Sequence, residues 1–109
     1  MTGDGGARRR LRMAALAPGI PNEMVTLLGG AGIDVVVPPS RDQRGLHAVL
    51  EGVDVVLADW SSTLRLGADE VAPAAGLAYI QNAGAGTDSI DLAVWAAAGV
   101  PVASTPGAN

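Results

Sequence analysis

The 109-residue sequence has no cysteine, no lysine, no phenylalanine and a single histidine, His47. Without cysteine, disulfides, thiolate nucleophiles and Cys-ligated zinc or iron–sulfur sites are excluded. A single histidine excludes a His-pair metal motif, and we therefore expect no metal site. It also disfavours a Ser-His-Asp triad. The net charge of −4 disfavours nucleic acid as a partner, because nucleic-acid binders carry a basic face. No stretch approaches the ~20 apolar residues of a membrane span, so we expect no membrane partner.

Residues 1–10 show no hydrophobic periodicity, and we predict that they form a disordered leader. Arg8-Arg9-Arg10 followed by the apolar residues 13–17 has some features of an export signal. That apolar stretch is too short for such a signal, and Pro18 and Gly19 interrupt it. Without an export signal, the expected location is the cytoplasm.

Residues 11–109 alternate short apolar runs with helix-compatible stretches and glycine-rich turns. Strands are predicted over residues 11–16, 33–37, 53–58, 77–81 and 100–103, with helices between them. The almost uninterrupted apolar run 53–58 is typical of a parallel strand covered on both faces. Right-handed crossovers between such strands give an α/β fold, a flavodoxin-like doubly wound parallel sheet of about five strands.

Polar residues with short side chains mark where the helices begin. Asn22 is predicted to cap the first helix, Ser40 or Asp42 the second, and Asp91 the last. In the first helix we expect four apolar side chains to face the sheet: Met24, Val25, Leu27 and Leu28.

The carboxyl ends of parallel strands are where ligands bind in open α/β sheets. In this sequence the loops at that edge are predicted at residues 17–21, 38–41, 59–63, 82–89 and 104–109.

The loop after the fourth strand is rich in glycine. Residues 84–89 match the first half of the dinucleotide fingerprint G-x-G-x-x-G, but Ser89 replaces the third glycine. No Asp or Glu stands ~20 residues further on to bind a ribose, so we do not interpret this loop as a cofactor site. The generic interpretation is a tight strand-to-helix turn that needs glycine backbone angles. A more specific interpretation is that the backbone N–H groups of Ala85 and Gly86 would form a nest near a helix N-terminus, which suits a carboxylate.

Three segments together resemble the D-isomer-specific 2-hydroxyacid dehydrogenases. They are residues 78–92 (AYIQNAGAGTDSIDL), 97–102 (AAGVPV) and 104–109 (STPGAN). Their order and spacing are similar to the end of the N-terminal catalytic, substrate-binding domain of that family. Residues 11–77 agree with the family only in the order of strands and helices.

The resemblance implies a set of substrate-binding residues and no catalytic or cofactor-binding ones. The backbone amides of Ala85 and Gly86 would bind the substrate carboxylate, and Asn109 would contact the substrate. Trp60 and Ser61, with Asp59, would wall the pocket. Because a carboxylate would repel an anionic substrate, we expect Asp59 to face away or to be paired.

The resemblance further implies that the chain is a fragment of an oxidoreductase. Residues 11–109 would be a partial catalytic domain, and the NAD-binding domain with the catalytic Arg, Glu and His would be absent. The full-length protein would use NAD or NADP, act on a small 2-hydroxy or 2-keto acid and form a homodimer. The fragment would bind no cofactor and would contribute only the substrate-carboxylate loop, so we expect it to be inactive alone. His47 does not match the catalytic histidine and is expected at the surface or at its boundary.

A helix that returns to this domain in the family would also be missing. We therefore expect an exposed apolar patch on one face of the sheet, with marginal stability or self-association.

Two alternatives are non-catalytic α/β binding modules. A receiver-like domain would carry its phosphorylated aspartate at Asp59, but the acidic pair after the first strand and the lysine of such domains are missing. A corepressor-like relative would share the dehydrogenase scaffold without the chemistry.

Overall fold

In the part of the chain that the structure describes, the regular structure consists of five short strands, three α-helices and one 3₁₀ turn. The computed structural model describes residues 10–59, 63–82 and 89–104. In chain order the elements are β1 (Leu11–Ala15), α1 (Asn22–Gly30), β2 (Ile33–Val36), α2 (Gln43–Leu50), β3 (Val55–Leu57), a 3₁₀ turn (Ala68–Glu70), β4 (Tyr79–Gln81), α3 (Leu92–Ala97) and β5 (Val102–Ala103).

The strands form one sheet in the order β2-β1-β3-β4-β5, and every pairing is parallel. This confirms the predicted flavodoxin-like α/β sheet. The chain first moves outward from β1 to β2 and then returns past β1 to β3. Right-handed crossovers therefore place α1 on one face of the sheet and the later helices on the other. The reversal lies between β1 and β3, where such sheets bind ligands.

One face of the sheet carries the hydrophobic core. Ala14, Val56 and Ile80 are successive partners across three strands and are fully buried. The buried side chains that α2 and α3 pack against this row are Leu46, Val49, Leu50 and Trp95. The aliphatic residues and one tryptophan thus supply a core without any phenylalanine.

The opposite face is covered much less. Met13, Val55 and Tyr79 form its corresponding row and are half-buried or exposed. This face carries the partly exposed apolar surface that the sequence leads us to expect.

Helix α1 has no buried residue, and Leu27 and Met24 are 75% and 43% exposed. The prediction that both face the sheet is wrong, whereas Val25 and Leu28 are half-buried. The physical reason is position: α1 packs against β2, the edge strand, so that part of its apolar face extends beyond the sheet.

Two of the predicted helix caps are confirmed. Asp42 accepts a hydrogen bond from the Gly45 N–H at 2.8 Å, and Asp91 accepts one from the Val94 N–H at 3.3 Å. The prediction for Asn22 is wrong, since Asn22 is already helical and Pro21 occupies the N-cap position.

Within residues 10–59, 63–82 and 89–104, no helix has the length and apolar character of a membrane span.

Candidate functional site at the carboxyl edge of the sheet

Three loops leave the sheet side by side. Asp59, Asn82 and Ser104 follow β3, β4 and β5, which are neighbours in the sheet. Hydrogen bonds continue the ladder into the loops: the Ala58 N–H donates to the Gln81 carbonyl at 2.9 Å. The Asn82 N–H likewise donates to a carbonyl of β5, at 2.7 Å. The bases of the three loops are therefore adjacent at one edge.

The five predicted substrate-binding residues lie outside the described residues: Trp60, Ser61, Ala85, Gly86 and Asn109. The structure describes residues that flank them in the chain, including Asp59, Asn82 and Ser89.

Asp59, directly before Trp60, is held from several sides. Its carboxylate oxygen Oδ2 lies 2.7 Å from Arg41 Nη2 and accepts a hydrogen bond from the Leu64 N–H at 3.0 Å. Its side chain is fully buried. Arg41 also donates from Nη1 to the Leu16 carbonyl at 2.5 Å. The expected pairing of Asp59 is thus present, and the partner is an arginine from the loop after β2.

This arrangement disfavours a phosphoacceptor role for Asp59. A receiver domain needs an accessible carboxylate at this position, whereas the Asp59 side chain is enclosed and its Oδ2 is engaged by Arg41 and Leu64.

Ser89, the first described residue after the glycine loop, is also buried. Its carbonyl accepts from the Leu66 N–H at 2.7 Å, and its Oγ lies 3.5 Å from the Asp59 carbonyl oxygen. Leu66 in turn accepts at 3.0 Å from the indole N–H of Trp95, which is fully buried. Ser89, which follows the glycine loop, is therefore held by hydrogen bonds to Leu66 and Asp59.

A second polar cluster joins α2 to the 3₁₀ turn. Buried Glu70 places Oε2 at 2.6 Å from His47 Nε2 and 3.1 Å from Gln43 Nε2, and its other oxygen accepts from the Gly67 N–H at 2.7 Å. The His47 side chain is 39% exposed, which agrees with a boundary histidine. Its contact with Glu70 connects α2 to the 3₁₀ turn, which is a structural role.

Among the residues that the structure describes, no three His, Asp or Glu side chains come together as metal ligands. The sequence placed the loop 38–41 at this edge but did not identify Arg41 as the partner of Asp59, because any of the seven arginines could have paired with it.

The fold is an open parallel α/β sheet, and the segments that follow β3, β4 and β5 leave its carboxyl edge side by side. A family model for the D-isomer specific 2-hydroxyacid dehydrogenase catalytic domain matches residues 14–109. The chain belongs to this family.

Solved structures share the fold at low sequence identity. An NAD-dependent formate dehydrogenase from Staphylococcus aureus in complex with NAD aligns with a TM-score of 0.75, 19% identity, and coverage of 89% of this chain and 33% of that one. An NAD⁺-bound 3-phosphoglycerate dehydrogenase from Entamoeba histolytica gives a TM-score of 0.75, 21% identity, and coverage of 90% and 33%. D-mandelate dehydrogenase from Rhodotorula graminis gives 0.67, 20% identity, and coverage of 90% and 32%.

The chain thus spans about a third of the length of these structures. No curated protein matches the sequence significantly.

Proposed function

We propose that this chain supplies the substrate-binding part of an oxidoreductase that transfers a hydride between NAD or NADP and a D-2-hydroxy acid or its 2-keto acid. One observation carries the proposal: the family match runs through the three loops that leave β3, β4 and β5 side by side. A small acid bound over that edge would meet all three loops.

In this proposal the backbone N–H groups of Ala85 and Gly86 hold the substrate carboxylate. Asn109, Trp60 and Ser61 complete the pocket. The described flanks support the arrangement, because Asn82 and Ser89 are buried and hydrogen-bonded on either side of the glycine loop. A loop fixed at both ends presents its amides at a lower entropic cost.

The charge of Asp59 also fits an anionic substrate. An unpaired carboxylate beside the pocket would repel the substrate. Its pairing with Arg41 at 2.7 Å and its burial remove that objection.

The residues present do not fit a dinucleotide. The fingerprint places its third glycine in the helix, where the glycine allows close packing against the strand. Here the corresponding residue is Ser89, which lies three positions before α3 and contacts the 64–66 segment instead. Hydride transfer requires a cofactor held in register with the substrate. We therefore propose that the chain alone neither binds NAD or NADP nor turns over substrate, and that a further domain does so.

Two further parts of the proposal follow the family resemblance: a partial substrate domain over residues 11–109 and a homodimeric full-length protein. A leader over residues 1–10 and a cytoplasmic location are proposed from the sequence pattern of the N-terminus.

Turnover by the isolated chain is tested by mixing it with NADH and glyoxylate, hydroxypyruvate or pyruvate and following NADH absorbance. The expected result is no decrease with any of the three acids. Measurable turnover would show that the chain is a complete enzyme.

Substrate binding is tested by amide NMR of the isotope-labelled chain with pyruvate. We expect shifts at Asn82 and Ser89, which flank the glycine loop. Gly86→Pro removes one of the two proposed N–H donors and should abolish these shifts, whereas Ala85→Gly keeps the N–H and should retain them. Equal shifts in both variants, or none in the unmodified chain, would overturn the carboxylate-loop assignment.

A further inference from the structure

A cavity of about 540 Å³ opens at the carboxyl ends of β1 and β2. The loop after β1, the loop after β2 and the first turn of α1 form its walls. Its lining is mainly apolar, with Pro18, Ile20, Val37 and Pro38 at the edge and the polar side chains of Asn22 and Arg41. We call it the Arg41 cavity. The loops assigned above to the dehydrogenase substrate follow β3, β4 and β5 instead.

Arg41 is the one charged residue among the described residues that line this cavity. Its guanidinium is held at two points, by the Leu16 carbonyl at 2.5 Å and by Asp59 Oδ2 at 2.7 Å. A guanidinium has five N–H donors, and these two contacts use only two of them. Because the Arg41 side chain is 40% exposed and lines the cavity, we expect its remaining N–H groups to donate to a ligand there.

Burial in the ion pair is strongly unequal. The Asp59 side chain is fully buried, whereas that of Arg41 is 40% exposed. The buried carboxylate therefore orients a cation that still reaches the surface. Because the two contacts already restrict the long arginine side chain, a ligand that binds it pays less of the ordering entropy.

The cavity opens over β1 and β2 and lies beside the point where the strand order reverses, between β1 and β3. Arg41 connects the two places, because it lines the cavity and also contacts Leu16 after β1 and Asp59 after β3. Open α/β sheets bind ligands in the crevice at the reversal of strand order. A largely apolar cavity of several hundred Å³ with a few converging polar groups is the usual form of a small-molecule site.

We propose that the Arg41 cavity binds a small organic monoanion, a carboxylate attached to a short apolar body. The guanidinium of Arg41 takes the carboxylate through charge-assisted hydrogen bonds. Ile20, Val37 and Pro38 pack against the apolar body. The proposal does not rest on the proposed hydride-transfer function, although Arg41 places the cavity next to Asp59, which borders the pocket proposed for the dehydrogenase substrate.

The test uses the isotope-labelled chain and phenylacetate as the probe, followed by amide NMR. We expect shifts at Gly19, Ile20 and Val37 and at the Nε–H of Arg41. Phenylacetamide has the same shape without the charge and should bind about tenfold more weakly or worse. This comparison uses the unmodified chain, so it does not depend on a variant that folds.

Arg41→Met should weaken phenylacetate binding by about tenfold or more. The matched control is Arg44→Met, because Arg44 is exposed on α2 and does not line the cavity; its affinity should equal that of the unmodified chain. Equal binding of phenylacetate and phenylacetamide would overturn the proposal. So would an unchanged affinity in a folded Arg41→Met chain, or shifts confined to Asn82 and Ser89.

Discussion

Arg41 and Asp59 form an ion pair across the reversal of strand order, with Nη2 and Oδ2 2.7 Å apart. Arg41 comes from the loop after β2 and Asp59 from the end of β3, so that the pair joins loops on either side of β1. Both residues also have backbone partners, Leu16 for the arginine and Leu64 for the aspartate. Removing the charge of Asp59 therefore affects three segments, which contain Leu16, Arg41 and Leu64.

We predict that Asp59→Asn lowers the free energy of unfolding by about 2 kcal/mol, because the fully buried carboxylate that accepts hydrogen bonds from Arg41 and Leu64 is replaced by a neutral amide. Chemical denaturation measures the loss. Asp34→Asn is the matched control, since the Arg10–Asp34 pair is similar in length at 2.8 Å but half-exposed on both sides. The control should show no measurable loss. Equal losses in the two variants would contradict the dependence on burial.

Gly45→Ala in α2 is predicted to be destabilising by about 1–3 kcal/mol or more. An added Cβ would lie 2.1 Å from the Ser40 carbonyl oxygen, a backbone atom that cannot rotate away. Gly29→Ala in α1 is the control, because its added Cβ would meet no atom within 4 Å beyond its chain neighbours and the adjacent helix backbone. That variant should be stabilising by about 0.5–1 kcal/mol. Thermal melts of the two variants should move in opposite directions, and a shared direction would refute the close approach of Ser40.

The cap of α2 predicts a dependence of stability on acid. The Gly45 N–H, and then the Ser40 hydroxyl, lower the pKa of Asp42 below its ordinary value. As the pH falls, the unfolded chain therefore takes up the proton first. The contribution of Asp42 is complete above the unfolded pKa and is lost as the pH falls through the lower folded pKa.

Asp42→Asn should flatten this part of the acid dependence and keep most of the stability at neutral pH, because asparagine also caps helices well. Asp42→Ala should be less stable already at neutral pH. Melting temperatures measured from neutral to acidic pH test both statements. An Asp42→Asn chain that loses stability in acid as steeply as the unmodified chain would count against the cap.

Glu70 should matter more to stability than its partner His47. Glu70→Ala leaves several donors without their acceptor in a buried site, namely Gly67, Gln43 and His47. We expect a loss of about 2–3 kcal/mol. His47→Ala removes one partner that is 39% exposed and should cost about 1 kcal/mol or less. Denaturant titrations measure the loss of unfolding free energy in both variants. A larger loss for His47→Ala than for Glu70→Ala would contradict the prediction.

The parallel sheet and its class were accessible from the sequence, because apolar runs such as 53–58 have few alternatives to buried parallel strands. The strand ends were less accessible. Strand β5 has only two residues, Val102–Ala103. The carbonyl of Pro101, just before it, accepts a hydrogen bond from Ile80 of β4, but proline has no N–H to donate in return. The exposure of Leu27 was not accessible, since it depends on α1 lying at the edge strand and not on the pattern within the helix.

At the site, the sequence led us to expect that Asp59 faces away from the pocket or is paired, but it did not identify the partner. Arg41 stands 18 positions earlier in the chain, and no local pattern connects the two residues. Only the fold brings the loop after β2 over the end of β3. The role of Ser89 was hidden for the same reason, because its neighbour Leu66 is distant in sequence and pairs with Ile90 through an isolated bridge.

The unequal covering of the two sheet faces has a consequence for how substitutions are tolerated along a single strand. Val56 lies in the core row, while its neighbours Val55 and Leu57 point to the thinly covered face. Val55→Thr would place a hydroxyl on the face that water partly reaches, so water can hydrogen-bond to it. Val56→Thr would place the same hydroxyl in the dry core. In a library of variants, acceptance and rejection should therefore alternate residue by residue through β3.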